Sequence, residues 1–480
     1  MAITSASQTR AAAVQATLSD NYLDLQNAGW AQQYLPDLME QEAEVFGKRT
    51  ISGFLAQVGA EEAMSADQVV WSEQGRLHLS YKGTIGTHTT STIQLDTDID
   101  GVDVGTTHGV RVGDTVLIAS AALTVRAFVS QINSDTNGDQ NTGATDFITA
   151  IPYDAEHLDN SGFGTNDAVT ILVYGSEHSK GTVGKVGANE PSFTSFTNKP
   201  IIMKDMYQVS GSDASQVGWV EVSGEDGQNG YMWYLKAEGD TRSRFADYTE
   251  MALVEAEKAA DASTILGGAN GLVGTEGLFS AISNRGHQTS GVTGVNAATD
   301  LAEFDAILAE FDKNGAIEEN MLFLNRATSL AFDDMLASMN SYGAGGTSYG
   351  VFDNNEDMAL NLGFSGFRRG SYDFYKSDWK YLNDLSTRGG INARNVAGAI
   401  RGVIIPAGTS SVYDEQMGKN LKRPFLHVRY RASQTESRKM KTWITGSVGA
   451  VTSDLDAMTV NFLTERCLVV QAANNFMLMN

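Results

Sequence analysis

Strand-like sequence breaks off near residue 85 of this chain and resumes near Phe193, and what lies between has a different composition. Residues 86–182 hold 13 Asp plus Glu against 3 Lys plus Arg, a local charge of −10. Short β-branched runs such as Asp114-Thr-Val-Leu-Ile-Ala and Leu123-Thr-Val-Arg-Ala-Phe-Val alternate there with turn-rich segments such as Asn133-Ser-Asp-Thr-Asn-Gly-Asp. Short strands separated by glycine turns predict a small all-β sandwich or barrel. Sequence of one kind flanks the island, from Val69 to about Ser80 and again from Phe193, so the island reads as an insertion into a larger fold. No internal repeat of 20–50 residues is present.

The rest of the chain is long enough for that larger fold. At about 100–200 residues per domain, 480 residues allow two to four domains, each with its own core. A hydrophobic share of 42% suits a globular chain. With 49 Gly and 6 Pro, most turns must be glycine turns. The single cysteine, Cys467, excludes an internal disulfide framework and any multi-cysteine zinc or iron–sulfur site. It sits in an apolar run, where a small core residue is expected. No apolar run approaches the roughly 18 residues of a membrane helix, and the start Met1-Ala-Ile-Thr-Ser-Ala-Ser-Gln lacks the features of a signal peptide.

Residues 1–65 read as a polar, helix-prone arm. It has nowhere of its own to hide Tyr22, Leu25, Trp30, Tyr34 and Leu38, so it is expected to dock on the body of its own chain or on a neighbour. The strongest helix signal lies between Asp240 and Leu266, where Phe245, Tyr248, Ala252, Ala256 and Ala259 form a stripe and Gly267-Gly268 stops the run. Asp300 and Glu303 have capping-box spacing ahead of Leu301, Phe304, Ile307, Leu308 and Phe311, and Asn314-Gly315 closes that helix. Met321-Leu-Phe-Leu reads as a buried strand, and Leu330, Met335, Leu336 and Met339 mark a further helix. Helix, strand and helix so close together indicate a compact α/β or α+β lobe. Strand-like runs follow at Gly363-Phe-Ser-Gly-Phe, Tyr372-Asp-Phe-Tyr, Gly402-Val-Ile-Ile, Phe425-Leu-His-Val-Arg-Tyr and Arg466-Cys-Leu-Val-Val.

Motifs that carry chemistry are missing. There is no G-x-S-x-G elbow, no H-E-x-x-H, no phosphate-binding loop, and no paired spacing among the seven histidines. One metal candidate stands out: Asp96, Asp98 and Asp100, followed by Gly101, match the first half of a calcium loop, but position 12 is Thr107 where a bidentate acid is needed. Asp135, Asn137 and Asp139 repeat half the pattern. The competing reading of both is an acidic exposed turn, and no cofactor is expected.

Charge is uneven. The net charge of −24 argues against a chain that grips nucleic-acid phosphates over its whole surface. Residues 368–441 hold 15 Lys plus Arg and 6 Asp plus Glu, a local +9, which leaves −33 on the remaining 406 residues. Lys419, Lys422, Arg423, Arg429, Arg431, Arg438, Lys439 and Lys441 crowd its end. The stretch reads either as a nucleic-acid patch or as a surface matched to acidic surfaces of another copy of the chain. Arg242 and Arg244 are expected in the first turn of the long helix. The helix dipole disfavours cations there by up to about 1 kcal/mol, which suggests acidic partners on another segment or subunit.

Four stretches carry a resemblance: Asn198-Lys-Pro-Ile-Ile-Met-Lys-Asp-Met-Tyr-Gln-Val-Ser-Gly-Ser; the helix around Phe245-Ala-Asp-Tyr-Thr-Glu-Met-Ala-Leu-Val-Glu; Asn320-Met-Leu-Phe-Leu-Asn-Arg; and Gly363-Phe-Ser-Gly-Phe-Arg-Arg-Gly-Ser-Tyr-Asp-Phe-Tyr. With the polar arm before them and a C-terminal strand after, they resemble the major capsid protein of tailed bacteriophages, the Hong Kong 97-type fold. The likeness covers roughly residues 190–480, and 1–85 in outline.

The resemblance implies an α+β fold of N-terminal arm (1–65), extended-loop β segments (66–85 and 183–238), peripheral domain with a long spine helix (239–298), axial domain (299–410) and a return to the peripheral domain (411–480). The island at 86–182 is then an inserted all-β domain. It implies a shell subunit and not an enzyme: hexamers and pentamers building an icosahedral shell around double-stranded DNA, with portal, scaffolding and decoration proteins as further partners and no membrane. Such a protein is made in the bacterial cytoplasm and resides in the virion. Arg242, Arg244, Lys422, Arg423, Arg429 and Arg431 are the expected subunit contacts. The glycine-rich stretches Gly343–Gly350 and Thr387-Arg-Gly-Gly-Ile-Asn are candidates for loops that adapt between five-fold and six-fold settings, or for ordinary turns. Other readings are a tail or decoration component of a virion, and a carbohydrate-active enzyme suggested by Gly230-Tyr-Met-Trp-Tyr, for which no carboxylate pair can be singled out.

Overall fold

A computed structural model describes residues 54–55, 60–76, 78–86, 90–99, 101–104, 108–132, 147–185, 189, 193–215, 222–223, 229–230, 232–261, 263–267, 271–340, 366–392, 398–407, 409–414, 419–447 and 451–480. The chain divides into two compact units: Ser72–Phe196, and the residues before it together with Thr197–Asn480. Strands β1 (Ala60–Met64) and β2 (Val69–Gln74) lead into the Ser72–Phe196 unit.

In that unit β3 (Ser80–Ile85), β4 (Thr92–Asp98), β5 (Asp114–Ala119), β6 (Thr124–Ile132), β7 (Phe147–Pro152) and β8 (Ala168–Ser176) close into a barrel in the order β3-β4-β7-β6-β5-β8. The strands alternate as their sequence does. Ile85, Ile93, Leu95, Val116, Ile118, Val125, Ala127, Val129, Ile148, Ala150, Val169 and Ile171 all point inward and are buried, while their neighbours face out. A barrel this small is filled by its own side chains and leaves no unpaired edge.

Strand β9 (Phe193–Asn198), paired with β2, leads out again. The larger unit then runs β10 (Ile201–Ser210), α1 (Met232–Glu255), α2 (Leu278–Arg285), β11 (His287–Thr289), α3 (Ala297–Asn314), β12 (Glu319–Leu324), α4 (Arg326–Asn340), β13 (Gly366–Arg369), β14 (Tyr372–Asp378) and β15 (Gly402–Pro406). It continues through the paired strands β16 (Thr409–Asp414) and β17 (Lys419–Pro424), then β18 (Leu426–Arg431), β19 (Lys441–Gly446), β20 (Ala457–Val470) and β21 (Met477–Met479). Two sheets result. One has the order β1-β18-β20-β10, with β19 also paired to β20. The other is six-stranded, in the order β11-β21-β15-β12-β14-β13.

The six-stranded sheet is covered on both faces, and its central strand β15 is buried at every residue. On one side lie α3 and α4, whose Phe304, Ile307, Phe311, Phe332 and Met335 pack on Leu322, Leu324, Phe367 and Phe374. Phe304 sits edge-on to Phe332 and Phe374 at 5.4 and 5.2 Å. On the other side Phe323, Val403 and Ile405 join a core with Leu253 and Val254 of α1, Leu278 and Ile282 of α2, and Leu426, Val428, Leu468 and Val470 of the first sheet. Each fully buried side chain of this kind contributes about 1.5–3 kcal/mol relative to exposure.

Two expectations need correction here. The long helix is α1, which starts at Met232 and ends at Glu255, not Asp240 to Leu266. Its buried stripe is Thr241, Phe245, Thr249 and Leu253, while Tyr248 is exposed and Ala256 and Ala259 lie beyond its end. The threonines reach that stripe because each hydroxyl donates to the carbonyl four residues back, Thr241 to Ala237 and Thr249 to Phe245, both at 2.8 Å. What stops α1 is tertiary structure. Gly277 donates its N–H to the Ala256 carbonyl at 2.8 Å, and a Cβ at Gly277 would stand 2.7–2.9 Å from the Ala256 and Leu253 backbone.

Secondly, the cap of α3 is Asn296, whose side chain accepts from Ala298 N. Asp300 and Glu303 instead brace the preceding turn, accepting from Gly294 N at 3.1 Å and Val292 N at 2.5 Å. Gly315 closes α3 in the left-handed conformation, φ +60°. In the stretch Thr387–Asn392 the backbone is closely packed: a Cβ at Gly389 would meet the Asn383 and Asp384 backbone at 2.6 Å. The stretch Gly343–Gly350 lies outside the described residues, as do Tyr22, Leu25, Trp30, Tyr34 and Leu38.

Candidate functional site

The basic stretch that closes the sequence's positive region folds into β18, β19 and the turn between them. It is met by acids of its own chain. Strand β1 adds parallel to β18, with Glu61 opposite Val428 and Glu62 opposite Arg429. Arg429 pairs with Glu62 at 2.7 Å, and Arg431 with Asp67 just beyond β1. Glu61 takes both Lys439 and, at 3.2 Å, Arg466 of β20. Arg438 pairs with Glu465 at 2.7 Å and Lys441 with Glu436 at 2.6 Å. Burial draws the Arg466 guanidinium down from its ordinary value, and Glu61 opposes that. Arg429 and Arg431, expected to meet acids on another copy, are thus neutralised within the chain. A signal for this stood in the sequence: Glu61-Glu62 and Asp67 form the nearest acidic group on the arm side.

The arm has a second anchor upstream of β1. Phe54 stacks on Trp379 at 4.3 Å and meets Phe323 edge-on at 4.7 Å. The Leu55 N–H donates to Glu250 of α1 at 3.2 Å, and both Phe54 and Leu55 are buried. Glu255, at the end of α1, accepts from the Tyr381 hydroxyl at 2.6 Å and pairs with Arg388. The end of the arm is therefore seated on its own body, by an aromatic plug and an added strand.

A third anchor lies where the chain re-enters this unit. Asn198, fully buried, donates to the Glu276 carbonyl at 3.0 Å and the Leu468 carbonyl at 2.6 Å. Its oxygen accepts from Glu276 N at 2.9 Å and the Thr275 hydroxyl at 3.1 Å. Nearby, Lys258 donates to the Thr197 carbonyl at 2.9 Å, and Arg285 lies over the Trp71 ring at 5.6 Å. Nothing in the sequence around Asn198 marks its side chain for this role, because its partners lie 78 and 270 residues further along the chain.

Arg242 and Arg244 are the eleventh and thirteenth residues of α1, about three turns in and not in its first turn, so the dipole argument does not apply to them. Both are exposed; Arg244 pairs with Asp205 of β10 at 3.3 Å. Lys422 and Arg423 lie in β17, and their side chains are outside the described residues. Edge strand β10 presents Ile202 and Met206, 54% and 60% exposed, to solvent.

Of the calcium candidate, Asp96 and Asp98 are among the described residues. Asp96 and Asp98 are the fifth and last residues of β4, and Asp98 accepts from Val102 N at 2.9 Å, closing a tight turn around Gly101. Asp100, Asp135, Asn137 and Asp139 lie outside the described residues. Among the described residues no group of three His, Cys, Asp or Glu is arranged to hold a metal ion. Cys467 is fully buried, and burial pushes its thiol up to about 12, far from a reactive thiolate. No described helix is long and apolar enough to cross a membrane.

No protein-family model and no curated protein matches the chain. Among solved structures, the capsid of cyanophage P-SCSP1u is similar at a TM-score of 0.41 and 8% identity, over 97% of this chain and 98% of that one. A structure from Gordonia phage Cozz is similar at 0.40 and 11%, over 98% of both chains. The capsid of a native GTA particle is similar at 0.40 and 8%, over 95% and 97%. At these values the likeness carries no assignment of its own.

Proposed function

We propose that this chain is a shell subunit, the major capsid protein of a tailed bacteriophage, which assembles with copies of itself into a closed container for double-stranded DNA. The observation that carries the reading is the path of the chain. After β10 and the long helix α1, the chain lays down five strands of the six-stranded sheet with α3 and α4, returns through the 14-residue strand β20 to pair with all of β10, and completes that sheet with β21. Arm, paired extended strands, long helix over a sheet, second lobe and returning strand stand in the order that the resemblance implies.

On this reading the fold is of the Hong Kong 97 type. The sheet under α1 belongs to the peripheral domain, the six-stranded layer to the axial domain, and the barrel is an inserted domain. Subunits meet as hexamers and pentamers through many weak, repeated contacts. Arg242 and Arg244, exposed on α1, and Lys422 and Arg423, on the β16–β17 hairpin, contribute to those contacts, while Arg429 and Arg431 hold the arm. The chain performs no catalysis and carries no cofactor. Portal, scaffolding and decoration proteins are its other partners. Its acidic excess keeps packaged DNA from adhering to the wall. It is made in the host cytoplasm and ends in the virion.

Sedimentation velocity on purified chain, alone and with a co-expressed scaffolding partner, tests this reading. Particles far heavier than the 51.5 kDa chain are expected. Compact monomers under every condition would end it, and fibres or flat sheets would favour a tail or surface-layer component.

A further inference from the structure

The outer face of the barrel carries a feature that shell assembly does not account for. A shallow groove of about 560 Å³ lies over β5, β6 and β8, lined by Thr115, Arg126, Tyr153, Tyr174, Gly175 and Glu177. Tyr153 and Tyr174 are each 53% exposed, although aromatic rings of this size normally bury themselves. Two devices hold them there. Between β5 and β8 the register pairs Thr115 with Gly175 and Val116 with Val173, which leaves Tyr174 as the extra residue of a bulge. A bulge re-aims a side chain and is a feature of strand edges beside binding sites. Tyr153 follows β7, its N–H bonded to the Arg126 carbonyl at 3.0 Å, and its hydroxyl donates to Glu177 at 2.5 Å. That bond fixes the ring and orients the carboxylate, and it holds the phenol up at about 12, protonated at any neutral pH.

The same groove holds a cation. Arg126 is exposed, and among the described residues no carboxylate pairs with its guanidinium. The groove thus offers two exposed aromatic rings, one carboxylate with an acceptor to spare, and one planar donor, on a closed barrel. Gly175 and Thr115 keep its floor low and open.

We propose that this groove binds a neutral oligosaccharide. The ring faces of a hexose carry C–H groups that stack on tyrosine, and its edges carry hydroxyls that donate to Glu177 and accept from Arg126. An open, shallow groove suits a chain that enters and leaves at both ends and not a small enclosed cofactor. A polyanionic glycan or a nucleic acid is opposed by the surrounding field, since residues 86–182 carry 13 acids against 3 bases. The proposal does not depend on shell assembly.

The test is isothermal titration of the full-length protein with maltoheptaose, cellohexaose and mannohexaose, each to about 10 mM, with a hyaluronan hexasaccharide alongside. Saturable binding of at least one neutral oligosaccharide is expected. Tyr174→Ala and Arg126→Gln, both at exposed positions, should each weaken it about tenfold or more while thermal unfolding stays unchanged. Tyr153→Phe, which keeps the ring and frees Glu177, should cost less. No binding of any neutral oligosaccharide overturns the proposal. So does binding that Tyr174→Ala and Arg126→Gln leave intact, and so does tighter binding of hyaluronan.

Discussion

At the scale of single residues, the buried polar groups decide most. Asn198 makes four hydrogen bonds that tie β9 to Thr275, Glu276 and Leu468 with no exposure to water. Asn198→Ala should therefore destabilise the larger unit by about 3 kcal/mol, since it leaves buried carbonyls and an N–H without partners. Denaturant unfolding would read this directly, and a change under about 1 kcal/mol would mean that water replaces the side chain. Tyr372 gives a pH test. Burial and its bond to Asp312 at 2.8 Å raise its phenol to about 12, above the unfolded value near 10. A raised folded value favours the protonated form. Its contribution is therefore complete below about pH 10 and is lost as pH rises from about 10 to 12. Thermal unfolding between pH 9 and 12 should fall along this window, and Tyr372→Phe should flatten the fall. At this scale the sequence spoke poorly. Thr241 and Thr249 look polar but serve as core, because helical backbone carbonyls absorb their hydroxyls. Asp300 and Glu303 have the spacing of a cap but bond to a turn that only the folded chain brings near.

At the scale of elements, strands were more legible than helix ends. Alternation in Thr124–Ile132 follows directly from one filled and one wet face, and Gly315 marked the stop of α3. The stop of α1 could not be read, because it comes from Gly277, 22 residues after Glu255, pressing on the helix end. Gly277→Ala should cost about 1–3 kcal/mol by overpacking, measured as a lower denaturation midpoint with unchanged slope. The arm joint was partly legible. The docking expected of residues 22–38 lies outside the described residues, and the acids Glu61 and Glu62 gained meaning only when β1 lay beside β18. Glu61→Gln with Glu62→Gln should lower stability by about 2 kcal/mol, because Arg466 and Arg429 are left largely buried without their carboxylates. Partial rescue by Arg429→Met would identify the stranded charge as the cause; no rescue would assign the loss to strand pairing itself.

At the scale of the whole chain, the opening break in the sequence takes physical form as two compact units, one of them a closed barrel. Among the described residues its acids lie outside the apolar interior, apart from Asp114, which is buried and pairs with Lys185. The basic stretch changes meaning most. It read as a nucleic-acid patch or a surface for another copy, and three of its cations, Arg429, Arg431 and Lys439, pair with acids of the chain's own N-terminal side. Charge complementarity read from sequence cannot distinguish a partner in the same chain from one in the next, because both lie far away along the backbone. Among the described residues, Arg242 and Arg244 on α1 and Ile202 and Met206 on the edge of β10 are exposed, and on the proposed reading they face other copies. The measurement that tests the central claim most directly is negative-stain imaging of the purified, full-length protein. The account predicts closed, roughly spherical shells with capsomer clusters. Dispersed single molecules under all assembly conditions, with none of the chain found in virions, would contradict it.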